Sequence, residues 1–361
     1  MNKKALSLLA VVALGSFAGC GNTNTSSSSS AAPAAKKYSV GLGYNFSYDY
    51  TADDTATADK NEEKGQVDMT VAMAAFDSEG KVYDVRFDVV QVKFVANAER
   101  NGLTLTNTNI VDGSVTTKCE LGDNYNMVAF GGAIAEVDYQ IEAFADYCAG
   151  KTVEEIIAST VNPGHSKDHT PVCDALEGKV TITVDAFEAA LSDAYARKSE
   201  ATYELSGAAG VAMVSGLAYN YGKPQTDVSV DVAGVFAKDG KVEAALIDAI
   251  VVPMDMATGI EVKADNYYNK DGVLRSKKVL GDEYGMKGTG TNSATNETCT
   301  LEWYEQAEIV EKAAAGKTKD QIAAFVANEG ELAGATITLN NYFKALAKAT
   351  DYAGKAMIVA R

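Results

Sequence analysis

The hydrophobic and polar positions from residue 37 onward follow one pattern twice. Each time, two strand-like runs come first, and segments with helical spacing follow them. Apolar and polar residues alternate through Val228-Ser229-Val230-Asp231-Val232, which is typical of a strand with one buried face. Strands followed by helices, rather than strict alternation of the two, predict an α+β fold in which each copy has a small antiparallel sheet.

The strand-like runs are joined by short turns that favour hairpins. Runs 66–76 and 81–94 meet across Ser78-Glu79-Gly80, and runs 227–236 and 241–251 meet across Lys238-Asp239-Gly240. Glycine in such a turn supplies backbone conformations that other residues avoid. One hairpin is therefore predicted at the start of each copy.

The helical segments of the two copies also correspond. Segments 135–149 and 302–315 each end at a glycine, Gly150 or Gly316, which suits the residue after a helix C-terminus. Thr152 and Thr318 each begin a capping box, with Glu155 or Gln321 three residues later. A short β run is predicted at Thr181 and at Thr336, followed by closing helices over 187–196 and 342–349.

Four ordered sequence matches indicate an internal duplication. The longest pairs 117–127 with 276–286, around the shared segment Leu-Gly-Asp-x-Tyr-x-Met, and the offset stays near 160 residues. The predicted organisation is a signal peptide over 1–19, a flexible Ser-rich linker over 20–36, and domains over 37–198 and 200–361.

The N-terminus has the pattern of a lipoprotein signal peptide. Lys3 and Lys4 precede the apolar run 5–14, which is too short to span a bilayer permanently. The segment Phe17-Ala18-Gly19-Cys20 resembles a bacterial lipobox. That resemblance implies cleavage before Cys20, lipid attachment at Cys20, and a location outside the cytoplasm on a bacterial membrane.

The net charge and the positions of the histidines exclude some classes of function. The chain has 32 basic and 49 acidic residues, a net charge of −17. Such a surface repels nucleic acid, which argues against nucleic-acid partners. The two histidines, His165 and His169, fall in one loop of one copy, so a duplicated histidine-dependent catalyst is excluded. A carrier or binding protein is favoured over a bond-making enzyme.

Two candidate sites have simpler structural interpretations. His165, His169 and Cys173 have four-residue spacing and ligand chemistry suited to a transition metal. Prolines and a glycine make that segment a loop, and copy two lacks the cluster, so a solvated loop is favoured. The pattern does not distinguish one disulfide from free thiols among the four remaining cysteines, which are Cys119, Cys148, Cys173 and Cys299. Gly150-Lys151-Thr152 lacks the earlier glycine of a phosphate-binding loop.

The longest repeated motif supplies a different candidate. Tyr125 and Met127 recur as Tyr284 and Met286, and they either anchor an irregular segment to the core or stack on a planar ligand. Gln140 and Gln306 fall at equivalent helical positions, which is unusual for surface residues. Trp303 has no aromatic counterpart in copy one.

The third part of each copy resembles the FMN-binding domain family. The resemblance lies in Gly334-Ala335-Thr336-Ile337-Thr338, in the helix after it, and in the hairpin around Asp239-Gly240-Lys241-Val242. In flavinylated members a Ser/Thr-Gly-Ala-Thr segment receives FMN through a phosphoester on the final threonine. The resemblance therefore implies Thr336 as the attachment residue and Thr181 as its counterpart. Ala333 replaces the hydroxyl residue of the segment, and Lys179-Val180 replace Gly-Ala in copy one.

The expected function follows from this resemblance. The chain is expected to be a membrane-anchored, extracytoplasmic lipoprotein that carries FMN, covalently or noncovalently, and transfers electrons to a redox partner at the cell surface. The alternative is a lipoprotein that keeps the fold without flavin and binds another ligand or a partner. The expected cofactor residues are Gly334, Ala335, Thr336, Thr181, Tyr284, Met286, Tyr125 and Met127.

Overall fold

A computed structural model describes residues 36–51, 63–162, 164, 168–218, 223–257, 259–263, 268–270, 272–288, 298–327, 332 and 334–355. The predicted signal peptide, Cys20 and most of the predicted linker lie outside these residues, as do His165 and Ala333. Lys36–Arg361 forms one compact unit. Within the described ranges, no helix is both long enough and apolar enough to cross a bilayer.

Strands precede helices in both halves, and among the described residues the first half has one additional short helix. The first half contains β1 Tyr38–Thr51, β2 Lys64–Phe76, β3 Val82–Ala96, β4 Leu103–Leu105, β5 Ile110–Val111, β6 Ser114–Val115, α1 Lys118–Leu121, α2 Met127–Gly131, α3 Val137–Cys148, α4 Val153–Ser159 and α5 Asp185–Ala196. The segment between the halves contains β7 Thr202–Tyr203. The second half contains β8 Ala208–Leu217, β9 Asp227–Lys238, β10 Lys241–Asp255, β11 Glu261–Val262, β12 Asn269–Lys270, β13 Val273–Leu274, α6 Lys277–Leu280, α7 Trp303–Ala314, α8 Lys319–Ala327 and α9 Asn340–Tyr352.

These elements confirm a mixed α+β fold. One antiparallel sheet has the order β4-β3-β2-β1-β7, and the other has the order β11-β10-β9-β8. The predicted hairpins are present as β2–β3 and β9–β10. The capping boxes at Thr152 and Thr318 are also present, with Glu155 and Gln321 as the reciprocal partners.

The two faces of each sheet bury different layers, because side chains alternate along a strand. Val67, Met69 and Val71 of β2 lie in an apolar cluster that also contains Val228, Val230 and Val232 of β9. The intervening side chains face outward onto helices: α3, α4 and α5 cover the first sheet, and α7, α8 and α9 cover the second. The layers are therefore helices, sheet, sheet, helices, with a central core shared by both halves.

The closing helix of each half lies against a strand that has glycine at the contact. A Cβ on Gly41 would lie 2.0 Å from the carbonyl oxygen of Ala194, and a Cβ on Gly210 would lie 2.0 Å from that of Ala349. Glycine therefore lets helix and strand backbones approach each other directly. These glycines lie in β1 and β8, the strands for which the sequence pattern predicted no element.

The predicted short β run at Thr181 and Thr336 was wrong. Neither segment belongs to a strand. The N–H groups of Thr181 and Ile182 donate to Oε1 of Gln140 at 2.8 and 3.1 Å, so a side chain takes the place of a neighbouring strand. The alternating pattern arose because Val180, Ile182 and Val184 are buried.

Candidate functional site

A glutamine in the first long helix organises the outer layer of each half. Gln306 Oε1 accepts hydrogen bonds from Thr336 N at 2.6 Å, Thr336 Oγ1 at 3.2 Å and Ile337 N at 3.1 Å. Its Nε2 donates to the Leu301 carbonyl at 3.1 Å and contacts Met286 Sδ at 3.5 Å. One amide therefore ties the Thr336 segment to the Tyr-x-Met motif.

The first half has the same arrangement. Gln140 Oε1 accepts from Thr181 N, Thr181 Oγ1 and Ile182 N, at 2.8, 3.2 and 3.1 Å. Gln140 Nε2 donates to the Ala135 carbonyl at 2.8 Å and contacts Met127 Sδ at 3.7 Å. The repeated methionines thus have an anchoring contact in both halves, as one of the two sequence interpretations expected.

The acid before each long helix holds the motif at a second point. Glu302 accepts hydrogen bonds from the N–H groups of Met286 and Lys287, at 2.9 and 3.0 Å. Glu136 does the same for Met127 and Val128, at 2.7 and 3.0 Å. The motif therefore has a fixed backbone position relative to the glutamine in each half.

The second half contains a cleft beside this network. It has a volume of about 670 Å³, within the range of small-molecule sites. Its lining includes most of the sequence candidates of this half together with residues that the sequence did not single out. These lining residues include Tyr284, Met286, Trp303, Thr336, Asn341, Tyr342, Lys277 and Asp231.

The polar groups of the cleft are linked to each other. Asn341 Nδ2 donates to Asp231 Oδ2 at 2.8 Å, and the Tyr342 hydroxyl also hydrogen-bonds with Asp231. Burial raises the pKa of Asp231 above its usual range, and burial likewise raises the pKa of Tyr342. Lys277 Nζ lies 5.5 Å from the ring centre of Tyr284 and 5.7 Å from that of Trp303, and supplies a cation at the rim.

Thr336 and Gly334 are both at least partly exposed. Thr336 is half-buried and lines the cleft, and its Oγ1 lies 3.2 Å from Cys299 Sγ. Gly334 is exposed with φ of 92°, a conformation that side-chain-bearing residues rarely adopt. Ala335 is half-buried against the helical core of its half.

The corresponding residues of the first half are arranged differently. Thr181 is only 1% exposed and Val180 is fully buried. Tyr125 lines a separate cavity of about 240 Å³, with Lys118 Nζ 5.2 Å from its ring centre. The structure therefore brings Tyr284, Met286 and Thr336 into one cleft, whose lining does not include Gly334 or Ala335. It does not bring Thr181 and Tyr125 into an equivalent cleft.

The first half also contributes to the wall of the second-half cleft. Leu105, Asp112 and Gly113 line it. The β5–β6 hairpin is fixed there because Ser114 Oγ accepts a hydrogen bond from Ser215 N at 2.9 Å. No sequence signal pointed to this contribution, since the residues lie about 100 positions from the strand that they contact.

The candidate metal ligands do not converge in the described part of the chain. His169 is exposed, whereas Cys173 is buried in the helical core of the first half. Among the described residues, no group of three or more His, Cys, Asp or Glu side chains could hold a metal ion. Cys119, Cys148, Cys173 and Cys299 are free thiols, which decides between the two expectations.

No protein-family model, curated protein or solved structure matches this chain. Any functional assignment therefore depends on the chemistry of the cleft and on the sequence features that led to it.

Proposed function

We propose that the chain is an extracytoplasmic lipoprotein, anchored through Cys20, whose two FMN-binding-like halves carry one flavin mononucleotide in the second-half cleft for electron transfer. The observation that carries this proposal is the position of Thr336. Thr336 lines the same cleft of about 670 Å³ as Tyr284, Met286 and Trp303. An attachment residue and large planar side chains thus lie around one space.

The residues of the cleft suit the parts of FMN. Tyr284 offers partly exposed aromatic surface for a planar ring system, whereas Trp303 and Tyr342 line the cleft but are almost fully buried in the core. Lys277 supplies a positive charge that suits the phosphate group, and Gly334 leaves the backbone before Thr336 uncrowded. When bound, the flavin would supply the redox chemistry, while these residues hold the ring and limit its contact with water.

Attachment at Thr336 would be a transfer of FMN from a flavin dinucleotide donor. The Thr336 oxygen bonds to the FMN phosphorus, the phosphoanhydride bond breaks, and AMP leaves. The hydroxyl proton passes to a base of the transferase that catalyses the step. Gln306 Oε1 accepts from the Thr336 hydroxyl and so orients its oxygen within the segment.

The sequence itself favours a second candidate, an anchored binding protein without covalent flavin. Ala333 and Gly330 stand where flavinylated members of the resembled family carry a hydroxyl residue and an aspartate. In that case the same cleft would bind a planar ligand reversibly, and Thr336 would only line it.

The proposal is tested by coexpressing the full chain with a flavin transferase. We expect a yellow protein, and a Thr336 peptide heavier by one FMN less one water. Thr336→Ala should be colourless after denaturation, while Thr181→Ala should retain the flavin. Colourless wild-type protein with an unmodified Thr336 peptide, and no reversible flavin binding, would exclude a flavin function.

The anchor has its own test. Cys20→Ala should abolish lipid labelling and release the protein from the membrane fraction, because the lipid is the proposed attachment. Cys299→Ala is the matched control and should leave labelling unchanged. A Cys20→Ala protein that remained lipid-labelled would contradict the anchoring proposal.

A further inference from the structure

Asn341 has a fixed amide orientation on the wall of the cleft. Its side chain lines the cleft, and Nδ2 donates to Asp231 Oδ2 at 2.8 Å. Asp231 lies on β9, is half-buried and also lines the cleft. The amide nitrogen of Asn341 is thus the atom that faces Asp231, because its Oδ1 has no hydrogen to donate to a carboxylate oxygen.

The remaining hydrogen-bonding capacity of Asn341 is therefore known. One N–H of Nδ2 is used by Asp231, which leaves the second N–H as a donor. Oδ1 is an acceptor, and no group in the described ranges donates to it. Asn341 thus offers one donor and one acceptor side by side on a half-exposed side chain.

The first half lacks every part of this arrangement. Ala186 occupies the position of Asn341, five residues after the threonine that the glutamine holds, and Phe187 occupies that of Tyr342. Thr70 occupies the position of Asp231, since Thr70 pairs with Val89 and Asp231 pairs with the equivalent Ala249. The amide and the carboxylate that orients it therefore occur together in the half that has the cleft.

We infer that Asn341 recognises a ring N–H with an adjacent carbonyl, the edge of a cyclic imide or lactam. The inference rests on the proposed flavin function, because the pyrimidine part of the isoalloxazine ring has such an edge. Asn341 Oδ1 would accept from the ring N–H, and Nδ2 would donate to the ring carbonyl, as side-chain amides do when they pair with a base edge. Asp231 is a positioning residue that acts through Asn341.

Two probes separate this edge from the rest of the ring. The full chain, produced without a flavin transferase, is titrated with riboflavin and with 3-methylriboflavin while flavin fluorescence is recorded. The methyl group removes the N–H and leaves the stacking surface intact. We expect the wild-type protein to bind riboflavin about tenfold more tightly than the methylated probe.

Variants assign the discrimination to its residues. Asn341→Ala should bind riboflavin about tenfold more weakly and should no longer distinguish the probes. Asp231→Asn should reduce the ratio of the two affinities, because an amide beside Asn341 accepts either orientation of it. Ala186→Asn places an amide at the equivalent position of the first half and should leave both affinities unchanged. Circular dichroism confirms that each variant is folded.

The outcomes separate the inference from the proposed function. Equal binding of both probes to the wild-type protein, or an unchanged ratio in Asn341→Ala, would overturn the inference while a flavin site remained. Binding of neither probe would overturn the proposed flavin function, and the inference with it.

Discussion

Thr181 and Thr336 have the same three hydrogen bonds to a glutamine, yet they lie in different surroundings. In the first half Val180 is fully buried next to Thr181, and the segment is part of the core. In the second half Gly334 and Ala335 precede Thr336, and the threonine lines a cleft. The hydrogen bonds from the threonine segment to the glutamine are therefore a shared part of the fold. The cleft depends on residues that only the second half has.

Those residues replace apolar or small side chains at matched positions. Trp303 occupies the position of Val137, three residues before the glutamine, and Tyr342 occupies that of Phe187. Asp231 adds a half-buried carboxylate with two hydrogen-bonding partners. Buried polar groups are costly unless they are paired, so the pair of Asp231 and Asn341 suits a site, whereas Trp303 and Tyr342 are also part of the core.

The largest expected effect concerns a feature that the halves share. Gly41→Ala and Gly210→Ala should each lower the free energy of unfolding by about 3 kcal/mol, because the new methyl group would overlap a helix carbonyl oxygen. Chemical denaturation measures both. Gly113→Ala is a control with open space around it, although its positive φ carries a small cost of its own. A loss at one position only would mean that the helix contacts are not equivalent.

The glutamine hydrogen bonds should contribute more to the free energy of unfolding in the first half, where they are buried. Gln140→Ala leaves three donors without an acceptor in the core and should cost about 3 kcal/mol of unfolding free energy. Gln306→Ala should cost about half as much, since water can reach Thr336 from the cleft. Thermal and denaturant unfolding would measure the two values, and equal values would contradict the difference in burial.

A third difference lies where the closing helices end. Arg197 bridges Asp193 at 2.5 Å and Asp248 of the other half at 3.3 Å, whereas the equivalent Tyr352 donates to Glu120 at 3.2 Å. Arg197→Met should cost about 2 kcal/mol, because it leaves the buried Asp248 without its cation. Tyr352→Phe should cost under about 1 kcal/mol. Denaturation midpoints at fixed pH compare the two, and a larger loss for Tyr352→Phe would reverse their ranking.

The smallest expected effect is a pH dependence from Asp88. Burial raises its pKa above the usual 3.8, so the folded state holds this proton more tightly than the unfolded state. The contribution of Asp88 to stability is therefore greatest below pH 3.8 and is lost as pH rises through the raised folded value. Asp88→Asn should flatten the decline of stability with rising pH, as followed by denaturation at several pH values. Asp239→Asn, at an exposed turn, should leave that slope unchanged.

The sequence predicted the parts of the fold that local chemistry determines. The hairpins, the long helices and both capping boxes have short-range signals, and each lies within a few residues of its predicted position. It missed β1 and β8, because Gly41 and Gly210 weaken the strand pattern. Glycine is needed at both positions because a helix that is distant in sequence packs directly against the strand. It mistook the Thr181 segment for a strand, because apolar residues alternate with threonines there, although Thr181 is itself buried and its N–H donates to Gln140.

The candidate site was predictable only in outline. Thr336, Tyr284 and Met286 were identified through the repeat and the family resemblance, and they line one cleft. Asp231 and Asn341 could have been found by asking where one copy is polar and the other apolar. The contribution of Asp112 and Gly113 could not, because it depends on how the two sheets face each other.

The central apolar layer, to which both sheets contribute, has a consequence for the symmetry of the molecule. A separate single half would expose the inner face of its sheet, and pairing with an identical copy would cover that face. In such a homodimer every substitution would appear twice, and both clefts would change together. Because the two halves belong to one polypeptide chain, a substitution changes only one of them. One half can therefore keep a filled interior while the other has a binding site.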